Sequence, residues 1–195
     1  MRHQMSSGQT RSFVSIDVDD ARVLSEIGSV ASTLLSLGGD LKPVERENIH
    51  LTLKFLGNVD SARIEEIKLA LSKVKFSPFQ MEIKGAGAFP SFSRMSVIWV
   101  GIAEGWTQIQ QVYEQTETLF SGFGFPRETR SFSPHITIAR VKTGRRRDEI
   151  ASLLRRLEDK SFGTFTADKV RLKRSVLSGS GPRYSTLLEV EAQTM

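Results

Sequence analysis

Two strand-like runs in this chain, IHLTLKFL at 49–56 and HITIARV at 135–141, carry the same interruption: a histidine and a threonine, two residues apart, among aliphatic neighbours. In an extended strand, residues i and i+2 share a face. His50 and Thr52 therefore point one way while Leu51 and Leu53 point the other, and His135 and Thr137 stand in the same relation to Ile136 and Ile138. The aliphatic face of each run belongs against a core. The polar face has to meet water, a partner or a substrate, since polar groups buried without hydrogen-bond partners cost roughly 2 kcal/mol or more each. The two histidines lie 85 residues apart and are two of the three in the chain. His3 sits in a polar N-terminal stretch and is assigned no role.

The pattern around each run repeats as well. SFVSIDV (12–18) alternates as a strand, and Val23, Leu24, Ile27, Val30, Ala31, Leu34 and Leu35 then recur at helical spacing up to the glycines at 38–39. After the first His-x-Thr strand, Asp60 or Ser61 can cap a helix marked by Ile64, Ile67, Ala70, Leu71 and Val74. FQMEIKGAGAF (79–89) follows as a strand roughened by glycines. The second half begins with a strand at 95–102 and a helix through Trp106, Ile109, Val112, Tyr113, Thr116, Leu119 and Phe120. The second His-x-Thr strand comes next, then a helix at 145–160, then strands in DKVRLKRSVL and YSTLLEVEA.

Each half thus reads β-α-β-α-β, with its His-x-Thr strand between its two helices, and a duplicated unit accounts for both topology and motif. The expected fold class is α+β: one bilobal domain over residues 11–192, with pseudo-repeats at about 11–90 and 94–192. Two antiparallel or mixed sheets would face a central groove, with the helices on the outside. Residues 1–10 are expected to form a flexible tail.

Composition narrows the chemistry. The absence of cysteine excludes disulfides, thiolate metal sites and cysteine nucleophiles. Apolar runs fall far short of the ~20 residues that span a bilayer, and the N-terminus has no apolar signal segment, so no membrane partner and a cytoplasmic location are expected. A net charge of +5 suits a polyanionic partner such as nucleic acid. Two histidines without a third ligand do not close a zinc site, and the chain has no Gly-x-x-x-x-Gly-Lys-Ser/Thr loop, so neither a metal nor another cofactor is expected. The glycine runs GAGAF and SGSGP read as turns rather than nucleotide loops.

Two imidazoles facing across a groove supply one general base and one general acid near neutrality, where the free side chain titrates at ~6.5. That is the equipment for displacement at phosphorus, with threonine hydroxyls donating to the non-bridging oxygens as charge builds there. Arg130 and Arg140 offer fixed positive charge. Arg140 follows His135 by five, an odd offset that turns it away in a regular strand, so reaching the groove requires a twist, a bulge or a strand end. Lys54, four after His50 and on its face by simple alternation, is a weaker candidate for contacting a nucleic-acid backbone. The three arginines at 145–147 read as a solvated or RNA-facing patch.

With HLTL and HITI in hand, the chain resembles the two-histidine (2H) phosphoesterase superfamily, and within it the RNA 2′,3′-cyclic phosphodiesterases, also called 2′-5′ RNA ligases. The order RSFVSID, HLTLKFLG, GAFP, PHITIAR carries the resemblance over residues 11–192. The resemblance implies hydrolysis of RNA 2′,3′-cyclic phosphate ends to 2′-phosphomonoesters without metal or nucleotide cofactor. It makes His50 the proton donor to the departing 3′ oxygen and His135 the proton acceptor that activates water; Thr52 and Thr137 would hold the phosphate and Arg140 would neutralise it. The implied partner is RNA with cyclic phosphate ends, with tRNA fragments and cyclic nucleotides among the candidate substrates and a monomer as the expected form. Phe55, Phe89, Phe92 and Phe132 are the aromatic residues near enough in sequence to stack a base, and core packing explains each equally well. Two other readings compete: 2′-5′ ligation of cyclic-phosphate and 5′-hydroxyl ends, and a non-catalytic module that grips an RNA end.

Overall fold

The structure, a computed structural model, describes residues 9–178 and 181–193. The chain runs β1 (Gln9–Asp17), α1 (Ala21–Ser36), β2 (Leu41–Pro43), β3 (His50–Asp60), α2 (Ile64–Leu71), β4 (Phe79–Phe89), β5 (Val97–Glu104) and α3 (Trp106–Ser121). It continues with β6 (Ile136–Val141), α4 (Arg147–Arg156), β7 (Ser161–Ala167), β8 (Lys169–Ser178) and β9 (Gly181–Glu191). Local chemistry sets the helix starts. The Asp20 carboxylate accepts the N–H groups of Arg22 and Val23 at 2.9 Å each to open α1, and Asp60 accepts from Ala62 at 2.9 Å to open the single 3₁₀ turn before α2. The stripe Val23, Ile27, Val30 and Leu34 then buries one face of α1.

Among the described residues the strands form a nine-stranded antiparallel sheet that curls into a half-barrel, in the order β7-β4-β5-β6-β3-β1-β8-β9, with β2 added to β6. The α+β class and the outward helices are as expected, and no helix among the described residues is long and apolar enough to cross a membrane. At the midline, β3 and β6 meet through one register pair, Leu51 with Ile136, so the two halves of the sheet join and then diverge. Val14, Ile16, Leu51, Leu53, Ile136 and Ile138 turn inward against Ile27, Leu34, Ile109, Phe120 and Leu154 of the helices.

The lobes are not the two halves of the sequence. β4, from the first half, lies beside β5 and β7, whereas β8 and β9, from the end of the chain, complete the sheet beside β1. One lobe is therefore β3-β1-β8-β9 and the other β6-β5-β4-β7. Helices exchange similarly: α1 packs on β2, β6 and β7, and α3 on β3. Alternation did not reveal β7, because Gly163 pairs with Ile83 and Ser161 with Lys84, a bulge that buries Phe162 and Phe165 three positions apart. GAGAF ends the strand expected at 79–89 and is not a turn, with Gly85 at φ 78° where the β4–β5 register shifts. Gln9 and Thr10, expected in the tail, pair with Asp60 and Val59; residues 1–8, including His3, and residues 179–180 of SGSGP lie outside the described residues.

Candidate active site

A bulge at the same place in each lobe shapes the site. Between β1 and β3, Ser15 pairs with Thr52 and Val14 with Lys54, which passes over Leu53. Between β5 and β6, Trp99 pairs with Thr137 and Ile98 with Ala139, which passes over Ile138. Each bulge follows its threonine by one residue, so two successive side chains, Leu53 with Lys54 and Ile138 with Ala139, are both buried. The next residue returns to the His-Thr face: Phe55 in one lobe and Arg140 in the other, both exposed. This is how Arg140 reaches the groove despite its odd spacing from His135.

The same bulge corrects the reading of Lys54. Simple alternation keeps it on the face of His50, but the extra residue turns it inward. Its ammonium donates to Glu117 Oε1 at 2.6 Å and to the Pro126 carbonyl at 2.9 Å, with the lysine 6% exposed. No face remains for a nucleic-acid backbone.

The two histidines are held alike. His50 Nδ1 lies 2.7 Å from the Asn48 carbonyl oxygen and His135 Nδ1 lies 2.7 Å from that of Ser133, each two residues upstream. A carbonyl only accepts, so Nδ1 carries hydrogen in both rings and Nε2 is left for proton transfer. His50 Nε2 is 3.0 Å from Thr52 Oγ1. Around the rings the lobes differ. His50 packs against Phe13 (centroids 4.9 Å) and the edge of Tyr184 (5.5 Å), whereas His135 meets Phe89 edge-on at 4.8 Å, with Trp99 5.3 Å beyond.

Burial pushes the His50 imidazole below its ordinary value, opposed by its bond to the Asn48 carbonyl and by the Asp17 charge, and helped by Lys173 and by His135 across the groove. The Tyr184 hydroxyl is pushed up by burial and drawn back by Arg140 and Arg11. The His135–His50 and Arg140–Tyr184 couplings run between lobes, and the second puts Arg140 of one lobe within electrostatic reach of Tyr184 in the other. Thr137, half-buried, stands beside Trp99.

The other candidates separate. Arg130 lies on an exposed loop. Phe89 and Phe55 are on the site face, Phe55 69% exposed beside Phe13. Phe132 instead stacks flat on Tyr113 of α3 at 3.9 Å, on the core side, and Phe92 packs against the core under the Arg155 guanidinium. The arginines at 145–147 are exposed, as expected of a solvated or RNA-facing patch, and Arg146 pairs with Glu149 at 2.8 Å.

Three residues near His50 escaped the sequence reading. Asp17 is its register partner on β1, and the alternation Phe13, Ser15, Asp17 was the available signal. Lys173 and Tyr184 had no local signal, because only the long-range arrival of β8 and β9 brings them beside β1. Among the described residues, no group of three or more His, Asp or Glu is placed to hold a metal ion.

A family model described as LigT like phosphoesterase matches the chain twice in succession, over residues 18–99 and 100–184. An RNA 2′,3′-cyclic phosphodiesterase of Archaeoglobus fulgidus is 37% identical over 180 residues, covering 91% of this chain and 97% of the relative. One of Aeropyrum pernix is 35% identical over 170 residues, covering 87% and 97%. Among solved structures, a Thermus thermophilus protein superposes with a TM-score of 0.77 at 25% identity, over 93% of this chain and 97% of its own. Escherichia coli LigT shares the fold with a TM-score of 0.77 at 22% identity, over 96% and 100%. The family model spans most of the chain in its two successive matches, and the chain belongs to the LigT-like phosphoesterases of the 2H superfamily.

Proposed function

We propose that this phosphoesterase hydrolyses RNA 2′,3′-cyclic phosphate ends to 2′-phosphomonoesters by acid-base catalysis between His50 and His135, without a metal. The observation that carries the proposal is the matched pinning of both Nδ1 atoms to upstream carbonyls, which readies both Nε2 atoms for proton transfer. His135 takes a proton from water as the water oxygen bonds to phosphorus. The bond from phosphorus to the 3′ oxygen breaks opposite, and His50 gives that oxygen its proton, leaving a 3′ hydroxyl and a 2′ phosphate. Thr52, Thr137 and Arg140 meet the non-bridging oxygens as their charge grows. His50, lowered by burial, is recharged when the phosphate anion enters the groove, since an opposite charge favours the imidazolium. The names of the relatives support the substrate class.

His50→Ala and His135→Ala are each expected to lower cyclic-phosphate hydrolysis by ~10²- to 10⁴-fold with the far-UV circular dichroism unchanged. Wild-type activity is expected to persist in excess chelator. Near-normal turnover in both variants would remove the mechanism, loss on chelation would replace it with a metal-assisted one, and an unchanged bound end would identify a binding module. Recovery of 2′-5′-joined product from cyclic and 5′-hydroxyl ends would identify ligation, which uses the same two transfers with the 5′ hydroxyl in place of water.

A further inference from the structure

The two-histidine reading leaves a question that the pseudo-symmetry sharpens: one acid and one base need unequal proton affinities, yet the motifs are alike. The registers show where the lobes differ. Ser15 beside Thr52 corresponds to Trp99 beside Thr137, and Ile16 beside Leu51 corresponds to Val100 beside Ile136. One step further, His50 faces Asp17, while the position next to Val100 is Gly101. No side chain fits there, since a Cβ on Gly101 would lie 2.8 Å from the Lys84 carbonyl oxygen and 3.4 Å from the Trp99 ring.

We propose that the largely buried Asp17–Lys173 pair is a positioning pair that sets the charge state of His50 and so breaks the symmetry of the two imidazoles. This inference rests on the two-histidine reading above. Asp17 Oδ1 accepts from Ser15 Oγ at 2.9 Å, and Oδ2 accepts from Lys173 Nζ at 2.5 Å and lies 3.2 Å from the Arg171 guanidinium. Arg171 is also engaged outward by Asp19 and Glu189, both at 2.7 Å. Lys173 is 4% exposed, and its ammonium lies 5.8 Å from the centre of the Tyr184 ring that edges His50. The groups facing His50 are therefore Asp17 from β1, Lys173 from β8, Tyr184 from β9 and His135 from across the groove, with Thr52 on its own strand.

A buried ion pair is seldom more stabilising than apolar residues of the same volume, so stability alone gives it no reason to sit here. A carboxylate in register with an imidazole and a cation behind it act on that imidazole with opposite signs. The ring contacts of His135 are with Phe89 and, beyond it, Trp99, and the position that corresponds to Asp17 is Gly101, which brings no carboxylate. Environments that push two titrating groups apart are what separate an acid from a base.

The test follows the titration of each histidine by NMR in the resting protein, together with the pH profile of kcat/KM on a 2′,3′-cyclic mononucleotide. Asp17→Asn is expected to lower the His50 midpoint and Lys173→Met to raise it, each by on the order of one pH unit. The double variant is expected to fall between them, and His135 to move little. One limb of the activity profile should follow His50 in each case. Lys173→Met keeps Arg171 as a partner for Asp17, so it and the double variant carry the test if Asp17→Asn does not fold. Shifts of the same sign, no shift in folded protein, or a His50 shift that neither limb follows would overturn the inference. If the wild type hydrolyses no cyclic phosphate, the functional reading fails, and the NMR titration alone still decides whether the pair controls His50.

Discussion

His50 carries a consequence for folding as well as for chemistry. Its imidazole titrates below its ordinary value in the folded protein, chiefly through burial. As pH falls, the unfolded chain binds this proton first, so stability is full above about pH 6.5 and declines below it towards the lowered folded value. His50→Gln is expected to flatten that part of the curve, read as the difference in urea midpoints between pH 7.5 and pH 5. Lys54 and Glu117 give a larger effect. Their contact at 2.6 Å is buried on both sides, and Glu117 Oε2 also accepts the Glu128 backbone N–H at 2.9 Å, fixing the loop that leads to His135. Lys54→Met or Glu117→Gln alone should cost about 3–5 kcal/mol by urea unfolding, and Lys54→Met with Glu117→Leu should recover most of it, because an apolar pair leaves no orphaned charge.

The strands place the site through their irregularities. Without the bulges, Arg140 would face the core and Lys54 the groove, the reverse of what is found. On the neighbouring strand, Gly87 lies under the Trp99 ring, which adjoins Phe89 and through it His135. A Cβ at Gly87 would overlap that ring. Gly87→Ala is therefore expected to cost about 1–3 kcal/mol and to lower turnover as the ring ladder shifts. Gly28→Ala serves as the contrast: Gly28 is exposed within α1 and its Cβ meets nothing within 4 Å, so it should stabilise by about 0.5–1 kcal/mol with activity unchanged. Thermal melts and initial rates on the two variants decide between these outcomes.

Strand exchange ties the lobes into one folding problem. The first lobe lacks β8 and β9 until the last part of the chain arrives, and the second lobe needs β4 from the first half. A fragment of residues 9–91 would leave β1 unpaired on one edge and β4 without either neighbour; a fragment of 94–193 would leave β8 without β1 and β7 without β4. Open edges of that kind favour association over folding. Neither fragment alone is expected to show a cooperative urea transition, and mixing the two is expected to restore one. Independent cooperative unfolding of either fragment would show that the lobes are separable.

Much was legible because it is local. Period 2 and period 3.6 give every strand and helix but β2 and β7, Asp20 and Asp60 mark two starts, and the twice-written His-x-Thr names the faces that carry His50, Thr52, His135 and Thr137. Those patterns depend only on neighbours a few positions away. The sequence could also say that Arg140 needed an irregular strand, since odd spacing is itself a local fact. What it could not supply is pairing between distant strands. The register shifts at Leu53 and Ile138, the inward turn of Lys54, the assembly of each lobe from both halves, and the arrival of Lys173 and Tyr184 beside His50 exist only once the sheet closes. Alternation fixes which residues share a face within a strand, but which strands lie side by side, and in what register, is decided by how the whole set of buried faces can be satisfied at once.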